Sequence, residues 1–153
     1  MKKTPKIPFV FFNASVILAG LSSPQGGSAK LLNFVRENRI KGFISDIILD
    51  EVERRAEKIG KTKEYAQRET LKIFKLILPP PGIKTVEIYS KIVNDPGDSH
   101  ILASTYEAKT NYLVSLDKKH ILSLKNKIKE FNICSPKELI EFLAEKTPLL
   151  NSL

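Results

Sequence analysis

Short apolar runs alternate with amphipathic segments along this chain, and this pattern predicts strands alternating with helices. The apolar runs are nearly unbroken, as expected for strands that are covered on both faces of a parallel sheet. The predicted strands cover residues 7–12, 42–44, 112–116 and 131–134. Strands that alternate with helices predict an α/β sandwich around a mostly parallel sheet.

Apolar residues at three- and four-residue spacing predict the helices, and capping residues mark several of their ends. Ser28 is the predicted N-cap of the second helix, and Gly60 ends the third. Ser135 and Glu138 form a capping box at the start of the last helix. Residues 85–89 fit a strand or a helix equally well. The predicted helices cover residues 14–21, 28–35, 46–59, 62–78, 98–109 and 136–146.

The composition is that of one folded domain. With 153 residues, of which 42% are hydrophobic, the chain can bury its own core, so we expect a single domain over residues 1–153 with its core at about 7–134. The net charge of +8 favours a polyanionic partner such as nucleic acid. Cys134 is the only cysteine, which excludes an internal disulfide and favours a reducing cytoplasm.

The first residues permit a second interpretation, because Met1, Lys2 and Lys3 precede an apolar run over residues 7–21, as in a secretory signal. Asn13 interrupts that run, and no clear cleavage site follows it. The run is also shorter than the roughly 20 residues that a membrane span needs. We therefore expect a strand that turns into a helix, in a cytoplasmic protein without a membrane partner.

Acidic and amide side chains stand where a parallel sheet binds ligands, beyond the carboxyl ends of its strands. Asn13 follows the first predicted strand and Asp117 follows the strand over residues 112–116. Asp98 begins a helix on its inward face. Glu51 lies at the margin of a buried helical stripe, although helical geometry alone does not favour it over Glu53.

These acids have ordinary explanations when each is taken alone. Asp98 fits a helix cap, Asp117 a turn residue and Glu51 a solvated helix residue. Together they would need protonation or a cation, since two carboxylates about 5 Å apart repel by roughly 3 kcal/mol at an effective dielectric constant of 20. Hard oxygen ligands select Mg²⁺ or Mn²⁺ rather than zinc.

The four candidate residues lie within four segments, residues 11–17, 44–52, 95–103 and 112–117. In this order the segments resemble the signature blocks of PIN-domain ribonucleases, a family that includes the VapC-like toxins. The resemblance extends over about residues 7–134. It implies a three-layer α/β/α sandwich with a five-stranded parallel sheet, and a pocket that holds Mg²⁺ or Mn²⁺.

Carried over block by block, the resemblance implies four catalytic and metal-ligating positions and three supporting polar residues. The ligand positions are Asn13, Glu51, Asp98 and Asp117, and the supporting residues are Ser15, Asp95 and Ser115. Asp95 also fits a simple turn. The implied activity is cleavage of RNA by metal-activated water. The implied role is the toxin of a toxin–antitoxin pair, with RNA, an antitoxin protein and a second copy of the chain as partners.

Asn13 departs from the family pattern, which has aspartate at this position. An amide oxygen can ligate a hard cation but brings no charge, so the resemblance implies weakened activity. Three explanations stay open: a substitution that silences a toxic nuclease, a naturally weakened or metal-free member, and an active enzyme that tolerates asparagine. The alternative function is a catalytically inactive module that binds RNA or protein. A flavodoxin-like nucleotide site is disfavoured, because no glycine-rich loop follows Phe12.

Basic residues flank the predicted pocket and fit either an RNA path or a solvated surface. The RNA-binding candidates are Arg54, Arg55, Lys118 and Lys119, with Lys58, Lys125, Lys127 and Lys129 nearby. His100 and His120 each stand close to a candidate acid, but two isolated histidines more often have structural roles. Cys134 fits plain strand packing.

Overall fold

A computed structural model describes residues 7–146, which form a five-stranded sheet in the order β3-β2-β1-β4-β5. All neighbouring strands pair in parallel, so the predicted parallel sheet is confirmed. The strands are β1 (Phe9–Phe12), β2 (Lys41–Ser45), β3 (Ile77–Leu78), β4 (Tyr112–Val114) and β5 (Asn132–Cys134).

Helices cover the sheet and fall into two groups by their contacts. Helices α1 to α4 form one connected group, which α7 joins through its contact with α2, whereas α5 packs on α6 and α6 contacts β4. This is the expected three-layer α/β/α arrangement, and no described helix is long and apolar enough to cross a membrane. The helices are α1 (Ala14–Ser22), α2 (Gly27–Arg36), α3 (Asp46–Arg54), α4 (Lys63–Ile73), α5 (Ile83–Ser90), α6 (Ser99–Glu107) and α7 (Pro136–Lys146).

The core lies on both faces of the two central strands. Val10, Phe11 and Phe12 of β1 and the whole of β4 are buried, which explains why these strands carry no alternating polar residues. The register pairs Phe12 with Val114, so β1 and β4 end side by side. Their ends fix the position of the residues that follow.

The predicted helix over residues 62–78 is wrong over its last five residues. Helix α4 ends at Ile73, and Phe74 adopts extended angles with its ring edge-on to the ring of Phe12, at 5.2 Å between centroids. Ile77 and Leu78 then form the edge strand β3 beside β2. Packing of Phe74 in the core therefore overrides a helical spacing that continues through the segment.

Several predicted boundaries also shift. The second helix is capped by Gly26, and Ser28 lies buried inside it, so the predicted cap is wrong. The third helix ends at Arg54. A separate 3-10 turn over Ala56–Ile59 follows it and ends at Gly60, whose φ of 71° is left-handed. Residues 85–89 lie within α5, which settles the open assignment as helix. The strand predicted over 112–116 ends at Val114.

The capping box of α7 is present as predicted. Ser135 Oγ accepts from the Glu138 backbone N–H at 3.2 Å, and Glu138 Oε1 accepts from the Ser135 N–H at 3.0 Å. Lys125 Nζ donates to both carboxylate oxygens of Glu138. These bonds, first that of Lys125 and then that of Ser135, lower the pKa of Glu138. They also tie the loop before β5 to α7.

Gly42 provides a test of packing beside the sheet. A Cβ there would lie 2.8 Å from Phe74 Cε1 and 2.9 Å from Val35 Cγ2, whereas a Cβ at Gly27 would make ordinary contacts at 3.6 Å or more. Gly42→Ala should therefore lower the free energy of unfolding by about 1–3 kcal/mol. Gly27→Ala, in the first turn of α2, should change it by less than about 1 kcal/mol. Urea denaturation measures both, and equal losses would contradict the packing argument.

Candidate metal centre

The candidate site lies where the winding of the sheet reverses, between the carboxyl ends of β1 and β4. Asn13 directly follows β1, and its backbone N–H donates to the Val114 carbonyl oxygen at 3.0 Å. Ser115 directly follows β4. Parallel pairing of β1 with β4 therefore brings two residues that are 102 positions apart into contact.

A cavity of about 370 Å³ opens at this point, and all four predicted ligand positions line it. Ser15 also lines it, whereas Ser115 lies behind Asn13, and Asp95 lies in the turn before Asp98. The lining residues are Asn13, Ser15, Glu51, Arg55, Asp98, Ile101, Leu116 and Asp117.

Asn13 is buried, with 4% of its surface exposed, and both polar atoms of its side chain are hydrogen-bonded. Its Oδ1 accepts from the Ala14 N–H at 2.8 Å, and its Nδ2 donates to Ser115 Oγ at 2.8 Å. Ser115 Oγ also accepts from the Asp117 N–H at 3.0 Å. Because a serine hydroxyl can also donate, the same arrangement of atoms can accommodate an aspartate at position 13.

Ser15 holds the segment that leads from β4 to Asp117. From the first turn of α1, its Oγ accepts from the Leu116 N–H at 3.1 Å. Together with the bond from the Asp117 N–H to Ser115 Oγ, this contact fixes two successive backbone amides. The two serines thus support the segment on which Asp117 stands.

The structure distinguishes Glu51 from Glu53 on α3. Ile48 and Val52 face the core, and Glu51 lies half-buried beside them at the edge of the cavity. Glu53 instead accepts from Gln67 Nε2 of α4, at 3.5 Å. Of the two glutamates, only Glu51 lines the cavity.

Asp98 occupies the N-cap position of α6, but its side chain makes no capping hydrogen bond. Asp95 has the local structural role, because its Oδ1 accepts from the Gly97 N–H at 2.9 Å within a 3-10 turn. The carboxylate of Asp98 is thereby left to face the cavity.

The electrostatics of the cavity are those of gathered acids. Burial raises the pKa of Asp98, and the charges of Asp95, Asp117 and Glu51 raise it further, with His120 acting in the opposite direction. The carboxylates are therefore close enough to influence one another, as the sequence predicts.

The two histidines differ in their surroundings. The backbone N–H of His120 donates to Asp117 Oδ1 at 3.0 Å, and its Nδ1 lies 3.3 Å from Asp117 Oδ2. His100 is half-buried outside the lining of the cavity; its Nδ1 has no hydrogen-bond partner and burial lowers its pKa. Only His120 therefore contacts a candidate ligand.

The donor set fits a hard divalent cation by chemical type, since three carboxylates and one amide line a single cavity. Within residues 7–146, however, no group of three or more His, Cys, Asp or Glu side chains is close enough to hold an ion. Glu51 faces Arg55 at 3.7 Å, and Asp117 faces His120. An ion would therefore bind Glu51 in competition with Arg55, and it would have to displace His120 from Asp117.

The predicted RNA-binding residues occupy different places. Lys118 and Lys119 are exposed directly after Asp117. Arg54 is exposed and pairs with Asp50 outside the cavity, whereas Arg55 lines it. Lys125 is ion-paired with Glu138.

Cys134 is buried on β5, as predicted. Burial raises the pKa of its thiol to about 12, so the thiol is unreactive at neutral pH.

Two apolar wall residues of the cavity are absent from the predicted site. Ile101 lies one turn after Asp98 on the buried face of α6, so its helical spacing could have indicated it. Leu116 is 42% exposed in the segment after β4, and no sequence pattern distinguishes it.

Comparisons with known proteins agree with this architecture. The sequence profile of the PIN domain matches residues 9–119. The crystal structure of PAE2754 from Pyrobaculum aerophilum is similar, with a TM-score of 0.61 and 16% identity, covering 91% of this chain and 96% of that chain. At this identity the likeness shows the fold alone. None of the curated proteins matches the chain.

The raised pKa of Asp98 predicts a pH-dependent gain in stability on neutralisation. A carboxyl group whose pKa is raised on folding destabilises the protein above that pKa and has no such effect below the ordinary value of 3.8. Asp98→Asn should therefore raise the Tm at pH 7 in a chelating buffer, and the gain should shrink as the pH falls toward 3.8.

Asp50→Asn is the control for this measurement, because it neutralises an exposed aspartate that is paired with Arg54. It should give no rise in Tm. A rise for Asp98→Asn that is the same at all pH values would contradict the electrostatic cause.

Proposed function

Since the chain belongs to the PIN-domain family, we propose that it is a metal-dependent endoribonuclease and the toxin of a toxin–antitoxin pair, with activity reduced by Asn13. PIN domains are generally nucleases that act on nucleic acids. The finer assignment to RNA and to a toxin is supported by the four sequence blocks and by the net charge of +8.

One observation carries the proposal: Glu51, Asp98 and Asp117 line a single cavity at the carboxyl ends of the central strands. These residues come from three separate segments of the chain. Burial and the charges of the neighbouring carboxylates disfavour the charged form of Asp98, as its raised pKa indicates. Such a site gains from a cation.

When bound, Mg²⁺ or Mn²⁺ supplies Lewis acidity: it lowers the pKa of a water molecule and stabilises the negative charge that builds on the phosphate. Glu51, Asp98 and Asp117 are the residues that would hold it. Ser115 keeps the Asn13 side chain and the Asp117 backbone in place through two hydrogen bonds. Ser15 fixes the intervening Leu116 amide and so limits movement of this segment.

Asn13 accounts for the reduced activity. Its oxygen already accepts from the Ala14 N–H and brings no negative charge, so the site attracts a cation less than one with four carboxylates. The consequence is weaker ion binding rather than a different reaction.

The proposed partners are RNA, an antitoxin protein and a second copy of the chain, in the cytoplasm. RNA is supported by exposed Lys118 and Lys119, which follow directly on Asp117, and by Arg54 on α3. The antitoxin and the homodimer are supported by the family resemblance alone.

A second candidate function is an inactive module that binds RNA or protein. It is favoured by Asn13, whose two polar atoms are both satisfied inside the protein. Among the described residues, no three His, Cys, Asp or Glu side chains lie close enough together to hold an ion, which points in the same direction.

The test of function is Asn13→Asp. The added carboxylate should tighten Mn²⁺ binding and raise the rate of RNA cleavage by at least about tenfold, because metal affinity depends on the charge of the ligands. Cleavage of a labelled RNA with Mn²⁺ or Mg²⁺ measures the rate, and calorimetry measures Mn²⁺ affinity.

The matched control is the double variant Asn13→Asp with Asp117→Asn, which restores the number of carboxylates but removes a proposed ligand. It should lose the activity gained. Absence of cleavage by both the parent chain and Asn13→Asp would support the inactive module.

Exposed lysines next to the site provide a separate test of RNA binding. Replacing Lys118 and Lys119 with glutamine should weaken RNA binding. The slope of log affinity against log salt concentration should also become shallower by about one for each phosphate that the lysines neutralise. Fluorescence anisotropy at several salt concentrations measures both quantities. Lys125→Gln should leave the salt dependence unchanged, because that lysine is bound to Glu138.

A further inference from the structure

Arg55 is the single lysine or arginine that lines the candidate cavity in the part of the chain that the structure describes. Its Nη1 lies 3.7 Å from Glu51 Oε2, one helical turn away. The distance is that of an ion pair without a hydrogen bond. The side chains of Arg55 and Glu51 are 41% and 26% exposed, so the guanidinium has room to move.

The neighbouring Arg54 shows what the same spacing gives elsewhere on α3. Its Nε donates to Asp50 Oδ2 at 2.8 Å, and both side chains are more than half exposed outside the cavity. The side chain of Arg55 makes no hydrogen bond to any described residue. The guanidinium N–H donors of Arg55 are therefore free to bind a ligand at the edge of an acidic cavity. Arg54, by contrast, forms an ordinary ion pair on the surface.

We propose that Arg55 is the internal counter-ion of Glu51 and a substrate-binding residue: when a divalent cation binds Glu51, the Arg55 side chain moves away from Glu51 and pairs with a substrate phosphate. This inference rests on the proposed function and deepens it. The guanidinium group is suited to the second role, because its planar donors match two oxygens of a phosphate.

Two consequences follow from electrostatics. Arg55 repels an incoming cation, so it weakens ion binding to the free protein. Once an ion occupies Glu51, Arg55 is released beside the site at which the phosphate must bind. Ion and RNA therefore strengthen each other's binding, and by linkage the strengthening is equal in both directions.

Mn²⁺ titration followed by electron paramagnetic resonance tests the first consequence without requiring activity. In Arg55→Gln the Mn²⁺ affinity should rise by about tenfold at low salt, because a positive charge within the cavity is removed. Arg54→Gln removes the same charge one residue earlier and should change the Mn²⁺ affinity by less than about twofold. Arg55→Lys keeps the charge and should remain close to the parent chain.

Binding of a 2′-O-methyl RNA that resists cleavage tests the second consequence. In the parent chain, saturating Mn²⁺ should strengthen RNA binding more than it does in Arg55→Gln. The variant should therefore bind Mn²⁺ more tightly and RNA less tightly, a pair of opposite changes that loss of structure does not produce. Arg55→Lys should show a smaller RNA effect than the parent chain, since an ammonium lacks the planar fork.

Equal or weaker Mn²⁺ binding by Arg55→Gln, beside a parent chain that binds Mn²⁺, would overturn this inference and leave the proposed function intact. A parent chain and an Asn13→Asp variant that both fail to bind Mn²⁺ would overturn the proposed function and this inference with it. Thermal unfolding checks the variants, and the exposed side chain of Arg55 gives no reason for a loss of fold.

Discussion

Parallel pairing of β1 with β4 is the constraint on which the rest of the structure depends. The two strands are buried on both faces, and their register sets Phe12 opposite Val114. The next residues, Asn13 and Ser115, must then meet, and their hydrogen bond lies at the point where the chain connections from neighbouring strands run to opposite faces of the sheet. The cavity is thus a consequence of where two apolar runs stop.

Much of the fold follows from local pattern, because buried strands and amphipathic helices leave distinct signatures. The unbroken runs of β1 and β4 and the capping box of α7 are clear from the sequence. The edge strand β3 is not, because Ile77 and Leu78 continue the apolar spacing of α4. That helix ends where Phe74 packs against Phe12, and this contact spans 62 residues of sequence, beyond the range of any local rule.

The candidate site was predictable in its members but not in its pairings. Glu51 and Glu53 both flank a buried stripe, and only the packing of α4 directs Glu53 to Gln67. Arg54 and Arg55 each have an acidic residue four positions earlier. Which of the two ion pairs lies at the cavity depends on which face of α3 packs against the rest of the protein. Local sequence does not distinguish Glu51 from Glu53 or Arg54 from Arg55, so only the three-dimensional packing shows which residue of each two lies at the cavity.

Asn13 matters for stability as well as for charge. A carboxylate in its buried position would have to be balanced by a cation or a proton, since an unpaired buried charge is costly. The amide carries no such requirement, because the Ala14 N–H and Ser115 Oγ satisfy both of its polar atoms. Arg55 lies beside Glu51 and His120 beside Asp117, whereas burial and nearby carboxylates raise the pKa of Asp98. The neutral side chain at position 13 therefore weakens the attraction of the cavity for an ion and also spares the fold a further buried negative charge.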